Sequence, residues 1–103
     1  METFRRLHFE DGTVITCSIE SVLDDTGRNV TVGWSICNPK DRWDRKLGNQ
    51  IALGRRRAGA DTFSFRVTTT ENLRTAVERY IDTFGLPSHP NLYFNILHRN
   101  DEA

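Results

Sequence analysis

The chain has 103 residues, 14 Lys or Arg against 14 Asp or Glu, a pI of about 6.8 and an apolar content of 37% that includes 2 Trp, 2 Tyr and 6 Phe. That length supports one domain over residues 1–103 with one core, and the apolar content excludes a disordered chain. With no secretory leader and no apolar run near the ~20 residues of a membrane span, the expected setting is the cytoplasm, with no membrane partner.

Residues 3–9 read as a strand, and Glu10-Asp11-Gly12 after them is a hairpin signal. Residues 13–22 alternate, with Ile15, Cys17 and Ile19 on one face and Thr16, Ser18 and Glu20 on the other. Residues 24–29, DDTGRN, read as a turn. Residues 29–37 alternate again, Val30, Val32, Trp34 and Ile36 against Thr31, Gly33, Ser35 and Cys37. The three segments predict an antiparallel meander. Cys17 and Cys37 lack disulfide-scaffold numbers and metal-ligand spacing, so both are expected as free thiols.

A helix is expected next, with Asn38 as N-cap, Pro39 in the first position and Asp41 in the third. Trp43, Leu47 and Ile51 fall at i, i+4 and i+8, which predicts one apolar stripe facing a core, with Gly48 marking a close approach and Gly54 and Gly59 the exit. Residues 62–68 form the next expected strand, Phe63, Phe65 and Val67 inward and Ser64 and Arg66 outward. A helix between two strands predicts that the third and fourth strands are parallel neighbours in a right-handed β-α-β unit. The second helix is expected from a Thr68-x-x-Glu71 capping box, with Leu73, Ala76, Val77, Tyr80, Ile81 and Phe84 at helical spacing and Gly85 and Pro87 as stops. Residues 91–98 are apolar and fit either a strand or a short helix.

These elements give an α+β fold: an antiparallel or mixed sheet of four to five strands with two helices on its apolar face. The other face, carrying Arg6, His8, Thr16, Thr31, Ser35, Ser64 and Arg66, is expected to be polar, and one edge strand is available for pairing between subunits.

Residues 38–57, NPKDRWDRKLGNQIALGRRR, gather Lys40, Arg42, Arg45, Lys46, Arg55, Arg56 and Arg57 against Asp41 and Asp44, a local charge of 7 − 2 = +5 in a neutral chain. Such a concentration of cations points to an anionic ligand. Lys40 and Arg42 at a helix start oppose the macrodipole by roughly 0.3–1 kcal/mol each, and a docked anion relieves that mismatch. Arg55, Arg56 and Arg57 lie near the helix C-terminus, where cations are favourable. The alternative is a solvated helix face opposite the Trp43 stripe. Five of the seven cations are Arg, the side chain suited to bidentate phosphate contact. The candidate ligand-binding residues are therefore Asn38, Lys40, Arg42, Arg45 and Lys46, with Arg55, Arg56 and Arg57 as auxiliary clamps.

Catalytic chemistry finds little support. His8, His89 and His98 have neither metal spacing nor a neighbouring nucleophile pattern, and no GxxxxGK or GxGxxG loop is present. A binder rather than an enzyme is expected, without a cofactor or metal.

The segment Cys37-Asn38-Pro39-Lys40-Asp41-x-Trp43-x-Arg45-Lys46-x-Gly48-x-x-Ile51-Ala52-x-Gly54-Arg55 resembles a motif of small bacteriophage accessory proteins, and covers about a fifth of the chain. Some proteins of this kind are sponges that hide cyclic nucleotide or cyclic ADP-ribose immune signals, as the Thoeris anti-defence proteins do. The resemblance implies a non-enzymatic homo-oligomer with its ligand pocket between subunits, acting in the host-cell cytoplasm. Two other readings stay open: a nucleic-acid backbone binder, which the neutral net charge disfavours, and an inhibitor or adaptor docking on an acidic protein surface.

Overall fold

The computed structural model describes residues 2–9, 12–38, 40–60, 62–68, 70–86 and 99–101, the last three by backbone alone. In chain order the elements are β1 (Glu2–Phe9), β2 (Val14–Asp24), β3 (Gly27–Cys37), α1 (Arg45–Ala58), β4 (Thr62–Val67), α2 (Leu73–Phe84) and β5 (Arg99–Asp101). The sheet order is β4-β3-β2-β1-β5, and all neighbours are antiparallel. The α+β class stands, with four principal strands and a three-residue fifth.

The meander follows the predicted alternation and extends it. β2 and β3 pair from Val14↔Cys37 to Asp24↔Gly27, so the expected six-residue turn shrinks to Asp25-Thr26 and both strands reach 11 residues. Asp24 caps that tip by accepting the Thr26 N–H at 2.9 Å. Glu10 and Asp11, expected in the first turn, lie outside the described residues, but Gly12 donates its N–H to the Phe9 carbonyl at 3.0 Å.

The strand pairing fixes two faces. On one, Leu7, Ile15, Cys17, Ile19, Val30, Val32 and Trp34 pack against Leu73, Ala76, Val77 and Ile81 of α2, which forms the core. Phe63 stacks on Tyr80 with ring centroids 4.6 Å apart, and Arg5 pairs with Glu78 at 2.9 Å. The other face carries Arg6, Thr16, Ser18, Gly33 and Ser35, and it is covered by α1. The expectation of both helices on one face is therefore corrected: they flank the sheet. α2 alone has the long apolar stripe that an apolar sheet face requires. α1 offers small residues to a face of small and polar ones.

The parallel β-α-β unit is likewise corrected, because β3 and β4 pair antiparallel from Gly33↔Thr62 to Arg28↔Val67. Length explains it. α1 begins near the Cys37 end and its 14 residues rise only about 21 Å, against about 36 Å for the 11-residue β3. The chain leaves the helix beside Gly33, halfway down β3, and continues in the same direction as β4.

Helix starts also move. Asp44, not Asn38, is the N-cap of α1, accepting the Leu47 N–H at 3.0 Å; Pro39 lies outside the described residues. Asn72, not the Thr68-x-x-Glu71 box, caps α2 by accepting the Thr75 N–H at 3.1 Å. Gly85 ends α2, its N–H donating to the Ile81 carbonyl at 2.8 Å. The expected stop at Pro87 and the apolar segment 91–98 lie outside the described residues.

Close packing of α1 leaves no room for a side chain at Gly33. A Cβ there would stand 2.5 Å from the Arg56 Cβ and backbone nitrogen and 2.6 Å from the Ala52 carbonyl oxygen. Gly33→Ala is expected to lower unfolding free energy by about 1–3 kcal/mol, the range for overpacking, with a corresponding fall in the urea midpoint.

Burial pushes the Cys17 thiol from the usual 9.0 up to about 12, with Arg5 acting in the opposite direction. Between those values the unfolded chain has lost a proton that the folded chain retains, so stability falls as pH rises, by about 1.4 kcal/mol per unit. Urea melts at pH 8 and pH 10 should therefore differ more in the native chain than in Cys17→Ala.

Candidate functional site

The basic segment divides into three parts in the structure. Asn38, Lys40, Asp41 and Arg42 belong to an exposed loop, where the Asp41 N–H donates to the Asn38 carbonyl at 3.0 Å. Arg45 and Lys46 occupy the first turn of α1, a turn with no acidic residue. The dipole mismatch expected for Lys40 and Arg42 thus falls on Arg45 and Lys46, and the Asp44 carboxylate at the N-cap offsets part of it. Arg55, Arg56 and Arg57 lie in the last turn, where their charge is favourable.

The face that α1 lays on the sheet is shifted by one residue from the expected stripe. Gly48, Ala52 and Arg56, again at i, i+4 and i+8, point inward, with the Gly48 carbonyl accepting from Ser35 Oγ at 3.1 Å. Leu47 and Ile51 flank the contact and stay 52% and 37% exposed. Trp43 precedes the helix instead of starting its stripe, and its ring meets His8 edge-on, centroids 5.2 Å apart.

This one-residue offset opens a cleft of about 270 Å³ between the loop, α1 and the ends of β2 and β3. Val14, Ile36, Leu47, Ile51 and Trp43 supply apolar wall, Thr16, Ser35 and Cys37 supply polar groups, and Arg42 stands at the lining beside Asp41 and Asp44. The Asp44 carboxylate is occupied by the helix cap. The Cys37 Sγ lies 3.7 Å from the carbonyl oxygens of Asn38 and Asp41, so this thiol tethers the loop to the end of β3.

Of the candidate residues, the structure brings Arg42, Asn38, Lys40, Arg45 and Lys46 to one end of α1, with Arg42 lining the cleft. It does not bring the arginine trio to them. Arg55 donates to the Trp34 carbonyl at 3.1 Å, and Arg57 is exposed at the far end of the helix. Arg56 is buried under α1, donating to Ser18 Oγ at 3.0 Å and pairing with Glu2 and Glu20, so it serves the fold rather than a ligand.

Thr16, Ser35 and Val14 line the cleft although none is a candidate site residue from the sequence; alternation places Thr16 and Ser35 on the polar face, without pointing to a site. Strand register sets Thr16 opposite Ser35, and Val14, opposite Cys37, lines the cleft beside them. Among the described residues no three of His, Cys, Asp and Glu converge as metal ligands, and no helix is long and apolar enough to cross a membrane. His89 and His98 lie outside the described residues. No protein-family model, characterised protein or solved structure matches the chain.

Arg56 and Arg57 provide an internal contrast. Arg56→Ala should lower stability by roughly 1–2 kcal/mol, the low end for charge-assisted hydrogen bonds because both carboxylates stay accessible to water. Arg57→Ala loses only the dipole contribution of an exposed cation, about 0.3 kcal/mol at the low end, and should melt close to the native chain. Thermal melts of the two variants side by side read the difference.

Proposed function

We propose that the chain binds a phosphate-bearing small molecule, a nucleotide or cyclic nucleotide signal, and holds it without turning it over. The observation that carries this reading is the cleft, whose apolar wall and hydroxyl groups adjoin Arg42, with Lys40, Arg45 and Lys46 exposed on the same loop and helix turn. Its volume of about 270 Å³ lies just below the roughly 300–1,000 Å³ of small-molecule sites. One ring or sugar fills such a space, which leaves phosphates outside it, among the cations. Guanidinium groups of Arg42 and Arg45 suit bidentate phosphate contact, and the free N–H groups of the α1 start add to the attraction. Likeness of the motif spanning Cys37 to Arg55 to small phage accessory proteins, some of which are anti-defence sponges, makes immune signal nucleotides the first class to test, and sequestration the role.

A second reading has its own support. Leu47 and Ile51 are exposed next to the cations, a combination that also suits an acidic protein surface with an apolar centre.

A thermal-shift panel of cyclic di- and trinucleotides, cyclic ADP-ribose isomers, NAD and short DNA separates the readings. A ligand at 100 times its Kd adds about 2.7 kcal/mol, on the order of 10–20 °C for a domain this size. One nucleotide is expected to give that shift in moderate salt, and Arg45→Ala/Lys46→Ala to abolish it while keeping the native circular dichroism spectrum without ligand. Unchanged affinity in the double variant refutes the assignment. A shift from DNA alone that vanishes with salt means backbone binding instead.

A further inference from the structure

The strand β4 is the last in the sheet order, so its outer backbone groups have no strand partner among the described residues. Natural edge strands are guarded by Lys, Pro, bulges or a charge aimed across the edge. Thr62–Val67 has no Lys and no Pro. Its single charge, Arg66, is drawn the other way: the guanidinium grips Asp24 through two bonds of 2.7 Å and also reaches Asn29 at 3.1 Å, over β3 and the hairpin tip. Among the described residues nothing guards the edge.

Beside it lies an aromatic wall. Phe65 stacks on Tyr80 at 4.8 Å, Tyr80 meets Phe84 at 4.8 Å, and Phe84 is 68% exposed. A groove of about 400 Å³ runs between this wall and β4, along Val67, Ala76 and Thr83.

We infer that β4 is a self-association edge, pairing antiparallel with β4 of a second copy about a two-fold axis. Register permits a second copy. Opposed residues of antiparallel strands share a face, so the strand can pair with itself only about a residue, not between residues. Centred on Ser64, the pairing sets Phe63 against Phe65 on the apolar face and Thr62 against Arg66 on the polar face. Centred on Phe65, it sets Phe63 against Val67 and Ser64 against Arg66. In neither register does Arg66 oppose its own copy.

Charge points the same way. The cations flanking the edge are already neutralised, Arg66 by Asp24 and Arg79 by Glu71. A locally neutral, apolar-walled edge suits a copy of itself better than a strongly acidic or basic strand from another protein. The pairing joins two sheets into one and places the Phe84 side chains of both copies over a shared apolar seam.

Sedimentation of the full chain over a micromolar concentration series tests this. The expected species at tens of micromolar has twice the 11.9 kDa chain mass. Ser64→Lys sets Lys against Lys or against Arg66 in the two registers, and Phe84→Glu charges the seam. Both positions are exposed, so each variant should keep the native circular dichroism spectrum while its dimer dissociation constant rises at least tenfold. A native chain that stays monomeric at every concentration overturns the inference, as does a dimer that survives both substitutions.

Discussion

Much of the molecule follows from how near α1 can lie to the sheet. Gly33 on β3 and Gly48 with Ala52 on α1 remove the side chains that would hold a helix at the usual 10 Å from a sheet. Helix backbone then reaches strand side chains directly, as the bond from Ser35 Oγ to the Gly48 carbonyl shows. Larger neighbours are forced to the flanks, which is why Leu47 and Ile51 remain exposed and why a cleft exists beside them. The same approach carries Arg56 down to Ser18 and its two carboxylates. It also delivers the chain to the middle of β3, which turns β4 antiparallel and makes it an edge.

The two faces of the sheet use different physics. Beneath α2 the contact is apolar, continuous from Leu7 to Ile81, and its stabilisation scales with area removed from water. Beneath α1 it is a layer of hydroxyls, glycines and one ion cluster, where hydrogen bonds have to be satisfied individually.

Strand positions and face alternation were legible in the sequence because period-two patterning is local, and α2 was legible because its stripe is long. What could not be read was non-local. Gly48 hinted at close packing, but the contact that selects the Gly48–Ala52–Arg56 face joins Gly33 to Ala52 and Arg56, 52 − 33 = 19 and 56 − 33 = 23 residues along the chain. A stripe of Trp43, Leu47 and Ile51 looks more apolar than that face, and hydrophobicity alone chooses the wrong side of the helix. The cap moved for a similar reason, since Asn38 and Asp44 are both good caps and the distance the chain must travel to reach the sheet decides between them. Within the basic segment, charge counting found Arg42, Arg45 and Lys46 but could not tell them from Arg56, whose burial depends on Glu2 and Glu20 from two other strands.

The contrast between the faces also sets a hierarchy of motion. Backbone amides of β2 and Val77 sit in the apolar core, so their exchange with solvent requires opening of the whole domain. α1 buries little hydrocarbon and is held to the sheet mainly by polar contacts, which favours its opening as a foldon of its own with a lower free energy. The cleft is half built from that foldon. If the proposed ligand occupies the cleft, its binding would be coupled to the ordering of α1 and would show in the protection of helix amides far from any atom it touches.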